Sequence, residues 1–223
     1  MNTLLDVSDR LYLDVADFAH STPHWFQVLA EVWTEAGLLV FGALFLAGWW
    51  RSRDGSSRMM ALALLAPLAT AFGYVVSEAL KSLIDEERPC RAVVGAPASL
   101  VTCPPHGDWS FPSNHSAIAG AAAIALALSW RGLVWLTVPM ALLMAFSRVF
   151  VGVHYPHDVT VGLLLGGLVA FLFMRAAVRP VGNLVETARS SRNPAVVWCA
   201  GRGPRAHAPA HAERPRRARH GAY

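Results

Sequence analysis

The feature that most limits what this chain can fold into is a series of long apolar runs divided by short charged breaks. The runs cover about 25–50, 59–84, 114–130, 133–153 and 158–174. Each is long enough, or nearly so, to cross a hydrocarbon core of about 30 Å as a helix. A soluble domain carries about a quarter charged residues. Here charged residues are 15% and hydrophobic residues 54%, and the charges gather at the ends and in two loops. The sequence therefore predicts an all-α fold, a polytopic membrane helical bundle with about five transmembrane helices. Trp25, Phe26, Trp49 and Trp50 close the first run at both ends, as interfacial aromatics do.

Residues 1–22 do not read as a cleavable signal peptide, because Asp6, Asp9, Asp14 and Asp17 face a single base, Arg10. Leu4, Leu5, Leu11, Leu13, Val15 and Phe18 recur at helical spacing, which predicts an interfacial amphipathic helix. Residues 23–180 form the transmembrane domain. Residues 181–223 are expected to be a basic, unstructured tail. The net charge of +4 owes much to tail arginines, among them Arg202, Arg205, Arg214, Arg216, Arg217 and Arg219. No nucleic-acid fold signature surrounds them. Attraction to anionic lipid is the simpler reading.

Basic residues set the expected orientation. Arg51, Arg53 and Arg58, then Arg131, then Arg175 and Arg179 mark cytoplasmic breaks and a cytoplasmic tail. The acidic N-terminus and the polar segment 85–113 then lie outside the cell membrane. Lys81 and Arg88 run against this tally and are assigned to a site instead. Gly162 and Gly166, with the small residues 120–123, are expected to let helices pack closely.

Ionisable residues beside membrane spans are costly and mark function. In a five-span topology Lys81, Arg88, His115, Arg148, His154 and Asp158 all fall at outer helix ends. Three cations suit phosphate, and arginine matches its oxygens with a planar fork. Ser113 and the N–H groups opening the third span, at Asn114, add donors and a positive helix end. Two histidines allow one nucleophile and one acid for the leaving oxygen. Asp158, four residues after His154, would orient it.

These residues resemble the three signature motifs of the type 2 phosphatidic acid phosphatase (PAP2) superfamily. The matching segments are Lys81-x6-Arg88-Pro89, Pro112-Ser113-Asn114-His115, and Ser147-Arg148-x5-His154-x3-Asp158. The resemblance covers about 25–178. It implies a metal-independent phosphatase without cofactor. His154 would form a phosphohistidine, Asp158 would orient it, and His115 would protonate the leaving group. Lys81, Arg88, Ser113 and Arg148 would bind phosphate. Asn114 stands where the family most often has glycine, which puts local specificity in question. Within the family the chain looks most like the undecaprenyl-diphosphatase branch, with phosphatidylglycerophosphate and phosphatidic acid as open alternatives. The implied partners are a membrane lipid phosphate and the bilayer, with no nucleic acid. The oligomeric state is not implied.

Other readings are blander. His157 and His106 belong to no motif and read as incidental or supporting. Glu78 is placed to pair with Lys81. Asp85, Glu86 and Glu87 read as a solvated face, since neighbours in a row do not converge on one ion. Asn114-His115-Ser116 spells a glycosylation sequon by coincidence. Cys90 and Cys103 share the outer segment, where a disulfide is possible. Two rival functions remain: a non-catalytic lipid-binding protein, and a vanadate-dependent oxidation enzyme, whose relatives are soluble.

Overall fold

The computed structural model describes residues 2–204, with side chains from residue 6 onward. It contains α1 (Asn2–Ser21), α2 (His24–Ser52), α3 (Ser57–Lys81), α4 (Pro89–Ala92), α5 (Asn114–Ser129), α6 (Val134–Phe150), α7 (Pro156–Arg189) and α8 (Pro194–Ala200). A 3-10 turn, Arg131–Leu133, leads into α6. No strand occurs among the described residues. The segments His24–Ser52, Ser57–Lys81, Arg131–Phe150 and Pro156–Arg189 are long and apolar enough to span a membrane, and α5 is a shorter apolar helix. The protein is a multi-pass membrane helical bundle.

Helix α5 sits at the centre, packed by α2, α3, α6 and α7. With 16 residues it is roughly 24 Å long, too short to match a bilayer alone. Its neighbours cover it instead, so little of it has to match lipid. Its small side chains make this possible: Ala117, Ala119, Ala121, Ala122 and Ala125 are fully buried. On one side Ala119, Ala122, Ala123 and Leu126 pack with Phe41, Met140 and Met144. On the other, Ala121 and Ala125 pack with Leu62, Leu65, Ala66 and Met174. Leu39, Leu46, Leu68, Trp135 and Leu164 stay exposed around the bundle, as lipid-facing residues do.

The expected close packing falls on α5 and α7. A Cβ at Gly162 would strike the Ser113 carbonyl, one at Gly166 the Ala117 backbone, and one at Gly120 the Leu163 backbone. Glycine therefore lets the two backbones touch and pins the start of α7 to the start of α5, which carry Asp158 and His115.

Helix α1 is amphipathic in an unexpected way. Ser8, Tyr12, Ala16 and Ala19 are the buried residues, spaced by four, four and three, and they face the bundle. Of the apolar residues read from the sequence as one face, Leu11 and Phe18 are exposed, whereas Leu13 and Val15 are partly buried against the bundle. The bundle thus takes the face centred on Tyr12 and leaves Leu11 and Phe18 for the interface.

The region beyond 180 differs from expectation. Helix α7 continues to Arg189, well past 174, and α8 follows. Trp49 Nε1 donates to the Cys199 carbonyl at 3.0 Å, and Arg189 Nε donates to the Ala200 carbonyl at 3.0 Å. Gly203 N donates to the Arg53 carbonyl at 3.0 Å. These backbone anchors are invisible in a composition rich in Arg, Pro and Gly. The rest of the expected tail, 205–223, lies outside the described residues.

Candidate active site

The nucleophile candidate sits in the short connection between α6 and α7. Gly152 has φ +86°, a left-handed conformation that turns the chain just before His154. His154 is buried. Its Nε2 lies 3.1 Å from Arg88 Nη1, and its Nδ1 lies 3.2 Å from Asp158 Oδ2. A guanidinium can only donate. Nε2 must therefore accept, which leaves the proton on Nδ1, where it is donated to Asp158. The imidazole is held with its free lone pair toward the cations. Burial pushes the His154 imidazole well below its ordinary value, to about 4; Asp158 partly opposes this, and Arg88 and Arg148 reinforce it. His154 is thus neutral at physiological pH.

Asp158 is wholly buried. It is the third residue of α7, the position from which a carboxylate reaches back to the N-cap backbone. Its Oδ2 accepts from the Tyr155 N–H at 2.8 Å, from Ser110 Oγ and from His154. The same atom therefore caps the helix and orients the imidazole.

The three cations are buried at 5%, 3% and 6% exposure for Lys81, Arg88 and Arg148, which requires partners. Arg88 donates from Nη1 to the Val153 carbonyl at 3.0 Å and from Nε to the Asp108 carbonyl at 2.7 Å. Asp108 Oδ1 accepts from Arg88 Nη2 at 3.0 Å and from Lys81 Nζ at 3.3 Å. Burial alone would raise the Asp108 carboxyl, but Arg88 and then Lys81 outweigh it and hold it below its usual range. Arg148 Nη1 donates to Thr34 Oγ1 at 2.9 Å. Glu35 Oε1 lies 3.6 Å from both Arg148 Nη1 and His115 Nε2. Arg148 Nε is buried with no partner, a donor available to an anion.

The remaining motif residues open α5. Ser113 N donates to the Asp158 carbonyl at 3.2 Å, and its buried hydroxyl accepts from Ser116 Oγ at 3.2 Å. Asn114 Oδ1 accepts from Ser77 Oγ at 2.8 Å, while its Nδ2 donates to Glu78. Glu78 therefore pairs with Asn114, and Lys81 turns to Asp108, contrary to the expected Glu78–Lys81 pair. The exchange is physical: buried Lys81 gains a carboxylate from the loop above it. Cys90 and Cys103 form a disulfide with Cα atoms 6.2 Å apart.

Asp85, Glu86 and Glu87 do not converge. Glu87 takes Arg91 at 3.1 Å and His106 at 2.9 Å, while Glu86 takes His157 at 2.9 Å. Among the described residues, the group that could hold a metal ion is instead Glu86, His157 and Asp158, whose ligating atoms lie within 4.8 Å of one another. His157 Nε2 itself lies between the two carboxylates, 2.9 Å from Glu86 Oε1 and 3.2 Å from Asp158 Oδ1.

Sequence reasoning missed Thr34, Glu35, Asp108, Ser110 and the placement of His157. Thr34 and Glu35 did carry a signal, being polar residues inside the first apolar run. Asp108 and Ser110 carried none, because a long polar loop gives no register.

A multi-pass bundle that closes basic side chains and two histidines over one helix end defines a class, the integral-membrane phosphatases. The family model "PAP2 superfamily" matches residues 62–180, and the chain belongs to that superfamily. The chain is 32% identical over 172 residues to the undecaprenyl-diphosphatase BcrC of Bacillus subtilis, covering 74% of this chain and 85% of that one. Two solved structures share the fold at 21% identity. Aquifex aeolicus LpxE matches with TM-score 0.59 over 74% of this chain and 93% of its own. A phosphatidylglycerolphosphate phosphatase of Bacillus subtilis matches with TM-score 0.57 over 79% and 87%.

Proposed function

We propose that the protein is a metal-independent lipid phosphatase that converts undecaprenyl diphosphate to undecaprenyl phosphate through a phosphohistidine at His154. The observation that carries the mechanism is the buried imidazole whose Nδ1 faces Asp158 and whose Nε2 faces Arg88. The terminal phosphoryl group binds among Lys81, Arg88, Arg148, Ser113 and the N–H groups opening α5. Arg88 moves its donor from Nε2 to a phosphate oxygen, which frees the lone pair. Nε2 then forms a bond to phosphorus while the bond to the bridging oxygen breaks. His115 gives its proton to that oxygen, and undecaprenyl phosphate leaves. Asp158 stabilises the imidazolium that forms. A water then attacks the phosphohistidine, with its proton passing to His115, and inorganic phosphate departs. The three fixed cations supply the charge stabilisation for which other phosphatases use a metal.

The substrate reading rests on the likeness to BcrC, which spans most of both chains. An extracytoplasmic site and cytoplasmic tail are part of the proposal. Arginines at the opposite helix ends and a disulfide beside the site support them.

The test is phosphate release by purified protein in detergent with EDTA, comparing undecaprenyl diphosphate, phosphatidylglycerophosphate and phosphatidic acid, with His154→Ala as control. Release that prefers the prenyl diphosphate and vanishes in the variant is expected. Preference for another lipid would keep the mechanism and change the substrate. Absence of release from all three, in folded protein, would replace the enzyme by a non-catalytic lipid-binding protein.

A further inference from the structure

His157 belongs to no family motif, yet it touches the residue that orients the nucleophile. Its Nε2 lies 2.9 Å from Glu86 Oε1 and 3.2 Å from Asp158 Oδ1. Its Nδ1 is 2.7 Å from Ser8 Oγ on α1. Tyr155 stacks on the ring at 5.3 Å with an 18° tilt, and Phe111 lies on it at 5.9 Å. The imidazole is therefore fixed by α1, by the loop before α4, by the loop before α5 and by α7 itself.

Asp158 needs such a neighbour. Its Oδ2 takes three donors, but Oδ1 is fully buried and accepts no well-aligned hydrogen bond. A buried carboxylate oxygen without a donor is costly. The His157 ring edge is the positive partner at that oxygen. The charges around the ring are acidic: Asp9 on α1, Glu86 in the loop and Asp158 on α7. These same carboxylates, after burial, raise the neighbouring Tyr155 phenol. Among the described residues no lysine or arginine forms an ion pair with these acids; their partners are His157, at Glu86 and Asp158, and His154, at the other oxygen of Asp158.

We propose that His157 is a positioning residue for the reaction. It holds Oδ1 of Asp158 so that Oδ2 stays aligned on His154 Nδ1, and it ties this alignment to α1 through Ser8. Tyr12 makes a parallel tie, donating to the Gly152 carbonyl at 3.1 Å in the turn before the nucleophile. The amphipathic helix at the membrane surface thus buttresses the nucleophile loop at two points. A chain lacking a histidine at this position would leave Oδ1 to water or to nothing.

This inference rests on the His154 phosphatase reading, so its test has a readout that does not need turnover. The full-length protein in detergent is compared as wild type, His154→Ala, His157→Gln, His157→Phe and Ser8→Ala. The far-downfield proton NMR resonance of His154 Nδ1–H, assigned by its loss in His154→Ala, reports the Asp158 hydrogen bond directly. Expected is a shifted or exchange-broadened resonance in His157→Phe and a retained one in His157→Gln, which keeps a donor. With the lipid substrate, kcat in His157→Phe falls on the order of tenfold while KM stays within about twofold. Gln restores most of the rate, and Ser8→Ala loses about twofold to threefold. Melting temperatures should barely move. An unchanged resonance in His157→Phe would overturn the proposal, whether or not any lipid is hydrolysed. A kcat loss accompanied by melting at the assay temperature, with no resonance change, would overturn it equally. A wild type that shows the resonance but turns over no lipid would sink the phosphatase reading alone.

Discussion

The two ends of the bundle treat positive charge in opposite ways. At the site end, Lys81, Arg88 and Arg148 are buried and each lies near a carboxylate, Asp108 or Glu35. At the opposite end, arginines lie on aromatic faces near the surface. Arg53 stands 5.1, 4.9 and 4.6 Å from the rings of Trp49, Trp50 and Trp198, and Arg51 stands 4.6 Å from Trp130. Indole and guanidinium together suit a headgroup layer, where one side is apolar and the other wet. Burying three cations is costly even with these partners. Asp108 and Glu35 offset part of that cost, and an anion bound among the three would offset more. The difference separates charge held inside the candidate site from charge held on aromatic faces near the surface.

The largest expected effect tests the site end. Arg148→Ala removes both the contact to Thr34 and the free Nε donor. Phosphate-release kinetics should show kcat/KM lower by about a thousandfold. Lysine should recover only a small part, because it lacks the planar fork. A loss below tenfold would place Arg148 with the anchoring arginines and erase the contrast.

Next comes the packing that joins the ends. Gly166→Leu drives a side chain into the Ala117 backbone, whereas a Cβ at Gly182, further along α7, meets nothing within 4 Å. Thermal unfolding in detergent should show Gly166→Leu destabilised by about 3 kcal/mol. Gly182→Ala should be neutral or slightly stabilised, since alanine favours helix. Equal effects at both positions would mean that the α5–α7 contact does not hold the site.

The pH response should also be local. The His154 imidazole titrates at about 4 in the folded protein, against 6.5 ordinarily, chiefly through burial. The folded state therefore refuses a proton that the unfolded chain takes up. The stability this gives is fully present above pH 6.5 and is lost as pH falls through that window toward 4. For kcat/KM, the acid limb owed to His154 should lie nearer pH 4 than 6.5. A limb at the ordinary histidine value would mean that water reaches His154 in the free enzyme. The cysteines make a smaller contrast. Replacing Cys90 and Cys103 together by serine should loosen the loop that carries Asp108 and Ser110, by up to ~3 kcal/mol. Turnover should fall less than tenfold. Cys199→Ser should change nothing, because that thiol is exposed.

Much of this was legible in the sequence, for identifiable reasons. Apolar runs fixed the membrane bundle, and the motif residues fell at helix ends because spans have a set length. Helix ends were less legible. Helix α7 runs to Arg189 because a helix can leave the membrane without a composition break, and α8 docks through backbone groups that no side-chain pattern records. The partners of the cations were not legible at all. Asp108 meets Lys81 only after a long loop folds back, and Glu35 meets Arg148 only when α2 packs on α6. The Asn114–Glu78 bond replaced the local pair expected from helical spacing, since a three-residue offset permits a contact without requiring it.

The smallest expected effect sits at the anchoring end. Arg53→Ala removes a cation from three indole faces, each worth about 0.5–1 kcal/mol at a half-exposed site. The carbonyl of residue 53 still accepts from Gly203 N, and Trp49 still donates to Cys199, so the docking of α8 should survive. Phosphate release should stay within about twofold of wild type, and the melting temperature should fall by a few degrees. Trp198→Ala should behave alike, because it removes the ring that also packs on Trp49 at 5.2 Å. If either change lowered turnover as Arg148→Ala is expected to, the aromatic–arginine end would be coupled to the chemistry through the length of α2. The two ends would then be one device instead of two.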